Sequence, residues 1–293
     1  MSESGPATGL FASTDAGTVR VGIRSPRPPS EVWPALYEVD RVAQWFGTLD
    51  RPWRAGQASR VDFGDGDFFD IGTVAVVPGE SITFDWSFLS IGTTARVRWQ
   101  VIPATASAAG NDRIAGTEVL VEDRQPGRTP AEADELLSGW TDFFERLSRH
   151  LATGQRTRYD TRDDIDGSVT LTGHAPRLAE PDTIHRWLPI ATDGFVPRWF
   201  FIVDEDGPRR FRVDAWQAEP DGVSFVVEVP EALRATEARI WLRRTDSDWH
   251  LSFRHAGWAR LGLPDRQARV LRGRFTAAWV TALRDARELM GSA

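Results

Sequence analysis

Histidine, clustered carboxylates and tryptophan are the residue types in this chain of 293 residues on which chemistry or ligand recognition would draw. There is no cysteine, which excludes disulfides, thiolate nucleophiles and cysteine metal sites. There is no lysine either. All 35 basic residues are arginine, which excludes Schiff-base catalysis and a phosphate-loop lysine. The histidines are His150, His174, His185, His250 and His255, four of them in the second half. His150 falls at the polar end of a helix, the place of a helix-terminal cation. His255 shares a strand face with Trp249, Leu251 and Phe253 and points to the interior. No histidines stand at i, i+4, and no nucleophile elbow or nucleotide-binding glycine pattern occurs. Asp62, Asp65, Asp67 and Asp70 in "VDFGDGDFFD" lack calcium-loop spacing and read as a hairpin turn. No metal, cofactor or catalytic set is expected, which points away from an enzyme.

What remains is aromatic surface, 13 Trp and 16 Phe. In "SITFDWSFLSIGTTARVRWQV" strand alternation puts Phe84 and Trp86 on one face, and Val97 and Trp99 on the matching face of the next strand. Phe69 extends that wall. Arg96, Arg98 and Asp85 alternate to the other side. Opposite the wall, Trp140 and Phe144 stand four apart on a long helix, and Trp45 closes a short-helix corner. These residues are the expected ligand-binding lining. In the second half His255, Phe253 and Trp279 are the corresponding cavity candidates.

The elements that position them alternate in a fixed order. "TVRVGIR" is a strand, and Ser30 is read as the cap of a short helix with Val32, Trp33 and Leu36 inward. A second short helix runs from Asp40 to about Gly47. Strands follow at 58–63, 68–77, 81–88, 93–101 and 114–122. A long helix is capped by Thr129, carries Pro130 at its first position and stops at Gly154. Leu137, Trp140, Phe144, Leu147 and Leu151 form its apolar stripe. The order then repeats from Gly167, with strands at 198–204, 209–216, 222–229, 236–244 and 249–256. A closing helix carries Phe275, Trp279, Leu283 and Ala286 inward. A period of about 150 residues marks a domain duplication. The expected organisation is an extended or disordered segment at 1–17, one domain at 18–154, a linker at 155–166 and a degenerate second domain at 167–293.

Four stretches of the first half carry a family resemblance: "PPSEVWPAL", "QWFG", "GTEVLVED" and "GWTDFFERLSRHL". Together they resemble the START/SRPBCC helix-grip superfamily, in the branch of homologues of the heat-shock ATPase activator. The second half resembles it in order, with "HRWLP" and "ATEARIWL" in place of two of these motifs. The resemblance implies an α+β fold of two tandem helix-grip domains. Each is a curved antiparallel sheet wrapped around a long C-terminal helix, with two short helices after the first strand. It also implies a cavity between sheet and helix for an apolar or aromatic molecule. The tandem, arginine-rich form is similar to enediyne biosynthesis and self-resistance proteins, in which the fold sequesters the antibiotic. The functional expectation is therefore sequestration of a polycyclic polyketide, with a two-domain aromatase/cyclase or a chaperone-type interaction module as alternatives. Net charge of −7 disfavours nucleic acid and anionic membranes as partners. With no span-length apolar run and no signal-like start, a cytoplasmic monomer is expected.

Overall fold

The computed structural model describes residues 10–15, 17–106, 113–157, 162–171, 181–192, 196–204, 207–219, 221–244 and 248–291. His174 and the stretch 158–161 of the expected linker lie outside them. The chain divides into two compact units.

The first unit contains β1 (Leu10–Asp15), β2 (Thr18–Ser25), α1 (Pro29–Tyr37), α2 (Val39–Val42), β3 (Thr48–Leu49) and β4 (Ala58–Asp62). It continues with β5 (Phe68–Val77), β6 (Ser81–Phe88), β7 (Ala95–Ala106), β8 (Arg113–Arg124) and α3 (Pro130–Thr153). The sheet runs in the order β1-β2-β8-β7-β6-β5-β4-β3. Its inner positions carry Val19, Val21, Ile23, Phe84, Trp86, Val97, Trp99, Val119 and Val121, all buried. The stripe of α3 closes on them with Trp140, Phe144, Leu147 and Leu151 buried, while Leu137 is half-buried.

Local chemistry fixes the ends of α3. The Thr129 hydroxyl accepts from Glu132 N–H while the Glu132 carboxylate accepts from Thr129 N–H at 2.8 Å, a reciprocal capping box. Pro130 at the first position needs no amide partner. Gly154 ends the helix at φ 70°, the left-handed conformation that glycine takes without a Cβ penalty.

Two expectations are corrected here. Ser30 does not cap α1: the helix starts at Pro29 with Pro28 in the capping position, and no side chain caps it. Pro28 O instead accepts from the N–H groups of Glu31 and Val32, and the preset φ of Pro29 starts the turn. The strand read as 114–122 runs to Arg124 and so includes Asp123. In addition, Leu10–Asp15 pairs along β2 as an antiparallel edge strand whose residues are all exposed.

The second unit contains β9 (Asp164–Leu171), α4 (Pro181–Ile184), β10 (Ile190–Thr192), β11 (Pro197–Asp204) and β12 (Gly207–Glu219). After these come β13 (Gly222–Glu228), β14 (Thr236–Arg244), β15 (Trp249–Ala256), a 3-10 turn at Trp258–Arg260, and α5 (Asp265–Gly291). Its sheet order is β10-β11-β12-β13-β14-β15-β9. Strand for strand this repeats β3-β4-β5-β6-β7-β8-β2 of the first unit, as the duplication predicts. Phe275, Trp279, Leu283 and Ala286 of α5 are fully buried. β9 begins at Asp164, three residues before the start read from the sequence. The short stretches Gly64–Asp67 and Phe88–Gly92 also belong to this unit. The chain is thus an α+β protein of two tandem helix-grip domains.

Candidate functional site

The aromatic wall of the first unit is a closed stack of rings. Phe69 lies on Trp86 at 3.9 Å between centroids and 13° between planes. Trp86 lies on Trp140 of α3 at 4.9 Å, and Trp140 lies parallel to Phe46 at 6.0 Å. Trp99 meets Trp140, Trp45 and Phe84 edge-on or tilted, and Phe144 meets Trp45 and Trp140 edge-on. The wall and the helix meet directly. Each such pair is worth about 0.5–1.5 kcal/mol beyond its area burial. Of the expected lining, Trp45, Phe84, Val97, Trp99, Trp140 and Phe144 are at most 1% exposed and Trp86 is 4% exposed. Phe69 is half-buried and forms the outer end of the stack. The structure thus brings all eight expected residues into one core, including Trp45, whose indole N–H donates to Ala35 O at 2.8 Å.

Beneath the stack sits a carboxylate that sequence reasoning missed. Asp123 is fully buried at the end of β8. Its Oδ1 accepts from the Arg128 guanidinium at 2.6 Å, and its Oδ2 accepts from Trp140 Nε1 at 3.0 Å. The Trp86 indole also donates to it. Burial raises the Asp123 pKa above the ordinary carboxylate range, against the lowering effects of Arg128 and the two indoles. The signal was present in "VLVED": Val119, Val121 and Asp123 alternate in phase, so the carboxylate had to share the inner face.

The second unit repeats the arrangement with different chemistry. Trp279 Nε1 donates to His255 Nδ1 at 3.1 Å, which leaves the ring proton on Nε2, 2.7 Å from Thr236 Oγ1. The Thr236 hydroxyl in turn donates to Val227 O at 3.3 Å. Burial, then the charge of Arg272, lowers the His255 pKa to about 3, so the imidazole is neutral. Phe253 stacks on Trp279 at 4.4 Å. The three second-domain candidates therefore meet, with His255 as a hydrogen-bonded core residue.

The glycine–aspartate turn is also more than a turn. Gly64 and Gly66 take the positive φ the turn needs, but Asp65 and Asp67 are buried at 1% and 2% exposure. Arg272 of α5, itself fully buried, binds both Asp67 oxygens at 3.0 Å and the Asp65 and Asp164 carbonyls. Burial pushes the Asp67 pKa up to about 6 in spite of Arg272. Among the described residues no group of three or more His, Asp or Glu is placed to hold a metal ion. Arg96 pairs with Asp85 on the outer face, as alternation requires, and His150 Nδ1–H donates to Gln155 O at 2.9 Å beyond the end of α3. No helix among the described residues is long and apolar enough to cross a membrane.

No family model and no curated protein matches the chain. Solved structures do. DynU16, a protein of the dynemicin biosynthetic locus, shares 44% identity with a TM-score of 0.84, over 94% of this chain and 100% of its own. MLL2253 from Mesorhizobium loti shares 22% identity, covering 46% of this chain and 96% of its own, at a TM-score of 0.39. CalU16 from Micromonospora echinospora shares 17% identity, covering 52% of this chain and 86% of its own, at a TM-score of 0.38. At 44% identity over the whole length of DynU16, with the same two-domain architecture, the chain belongs to the DynU16 family.

Proposed function

We propose that the chain binds and sequesters a flat, polycyclic, largely apolar natural product of the enediyne or related polyketide type, in the aromatic core of its first domain. The observation that carries this reading is the full-length 44% identity to a protein of the dynemicin biosynthetic locus. The stack from Phe69 through Trp86 to Trp140 supports it, because parallel indoles are a ready partner for a planar ligand. Phe69, the half-buried end of that stack, is the ring a ligand displaces on entry. Catalysis is not part of the reading. An aromatase needs a free buried acid or base, whereas Asp123 has Arg128 on one oxygen and Trp140 on the other.

The test is a tryptophan-quenching titration of the intact protein with polycyclic polyketides, enediynes included. Saturable quenching that Phe69→Ala alters is the expected result. No saturable signal up to about 50 µM, a binding free energy of about −6 kcal/mol, would overturn the proposal.

A further inference from the structure

Four polar groups in one corner of the first-unit core are buried and have no hydrogen-bond partner among the described residues: Trp53 Nε1, Trp99 Nε1, Thr73 Oγ1 and Ser59 Oγ. Buried polar groups are nearly always paired, so four orphans in one corner call for an explanation. Trp53 and Trp99 are at most 1% exposed, Thr73 is 3% and Ser59 8%.

The fold sets the four groups on neighbouring elements. The two indoles touch edge to face at 5.5 Å, and both lean on Phe84, at 5.1 and 5.3 Å. Ser59 and Thr73 share the inner face of the β4–β5 pair. Ser59 stands opposite Ile71, which places Thr73 diagonally across from it. The loop that carries Trp53 is pinned to Thr73: Gly56 N–H donates to Thr73 O at 2.8 Å, and Thr73 N–H donates to Gln57 O at 3.0 Å.

We infer that this corner is a subsite for a hydrogen-bond-accepting oxygen, a ketone or quinone carbonyl, on a flat polycyclic ligand. Indole N–H groups donate and never accept, so two of the four orphans admit only an acceptor. The hydroxyls of Ser59 and Thr73 can turn to donate to the same kind of atom. A fused ring system carrying a carbonyl replaces the ring contacts it displaces with contacts of the same kind. It also satisfies donors that no group among the described residues satisfies. The inference rests on the proposed binding function and names the chemistry that function selects.

The experiment compares two probes of one shape, 9-fluorenone and fluorene, by calorimetry on the intact protein. The carbonyl compound should bind about tenfold or more tightly than the hydrocarbon, as expected of a site that leaves donors unpaired beside the hydrocarbon. Replacing Trp53→Phe and Trp99→Phe together keeps ring surface and removes both N–H groups. It should lower that ratio several-fold, the two hydroxyls supplying what preference remains. Trp33→Phe, on the half-buried side of α1, should leave the ratio unchanged. If the double variant does not fold, Thr73→Val serves instead. It should raise the melting temperature by removing an orphan hydroxyl and weaken fluorenone binding, a combination that a purely structural residue would not give. Equal affinity of the two probes, or a preference that these substitutions leave undiminished, overturns the subsite alone. No saturable binding of either probe overturns the binding function beneath it.

Discussion

Replacing Asp123 by asparagine tests the reading of the buried carboxylate as the electrostatic partner of Arg128. The asparagine oxygen can still accept from Trp140 Nε1, so about 1 kcal/mol of neutral hydrogen bonding survives. What is lost is the negative charge opposite a guanidinium whose side chain is 4% exposed. Removing one member of a buried pair costs about 3–5 kcal/mol, because the other charge stays desolvated. Arg128 keeps the carbonyls of Gly17 and Asp123 at 3.0 and 3.2 Å, which places the expected loss at the lower end, about 3 kcal/mol. Arg128→Met alone leaves the carboxylate stranded and should cost a similar amount. The double variant should recover to within about 1 kcal/mol of the parent, since desolvation already outweighs attraction at this pair. Urea unfolding at neutral pH, followed by near-ultraviolet dichroism, reads all three variants, and the change should sit in the transition of one unit only. A single-variant loss below about 1 kcal/mol, or losses that add within about 0.5 kcal/mol, would refute the argument.

Two further predictions follow from buried groups of the second unit. The unfolded chain protonates His255 below pH 6.5 and the native chain only near 3, so this residue withdraws up to about 1.4 kcal/mol of stability per pH unit as pH falls between those values. Asp67, at about 6 in the native state against 3.8 unfolded, acts in the opposite direction: its share of stability grows as pH falls from 6 towards 3.8. His255→Gln should therefore gain stability relative to the parent on acidification from pH 6 to 4, and parallel pH–stability curves would contradict the assignment. At the turn, a Cβ on Gly66 would lie 2.4 Å from the Gly273 Cα, whereas one on Gly64 meets nothing within 4 Å, although both residues have positive φ. Thermal melts should show Gly66→Ala losing about 2 kcal/mol more than Gly64→Ala, and equal losses would remove the close approach from the account.

The legible parts of this molecule are those written in local pattern. Thr129, Pro130, the apolar stripe and Gly154 describe α3 completely, because caps and periodicity act within a turn or two of the chain. Alternation placed Phe84, Trp86, Val97, Trp99 and His255 on inner faces, where they are found. β1 was not legible: "LFASTD" is exposed throughout and carries no buried face, although it pairs with β2 along its whole length. Asp123 escaped because it lies just past Glu122, where the alternating pattern gives way to a charged run, while the strand itself continues to Arg124. Asp65 and Asp67 escaped for a different reason. Their partner, Arg272, lies 205 residues beyond Asp67, and no local signal separates a turn that solvates its carboxylates from one that buries them against a distant arginine. Direct contact between the wall and the helix depends on summed ring volumes, which alternation does not report.

The registers of the two units show what the duplication kept and what it changed. Asp123 pairs with Val19 and Val97, and His255 pairs with Ile165 and Ala238, so the two polar residues occupy equivalent places between equivalent strands. Each accepts from the tryptophan of its closing helix, Trp140 or Trp279. The next inner cross-strand pair is Trp86 with Ala95 in the first unit and Val227 with Thr236 in the second. In the first unit the large ring on one strand supplies an indole donor to the carboxylate. In the second, the small hydroxyl on the other strand partners the imidazole. The exchange moves bulk from one strand to its neighbour while a second polar partner is retained. It also changes the charge: Asp123 holds Arg128, whereas His255 stays neutral and needs no counter-ion. A polar residue under the helix tryptophan is thus common to both domains, with an ion pair at that point in one and a neutral relay in the other. The second domain therefore retains the internal anchor of the fold, and its divergence lies in the aromatic wall, where Val227 and Ile240 stand at the positions of Trp86 and Trp99.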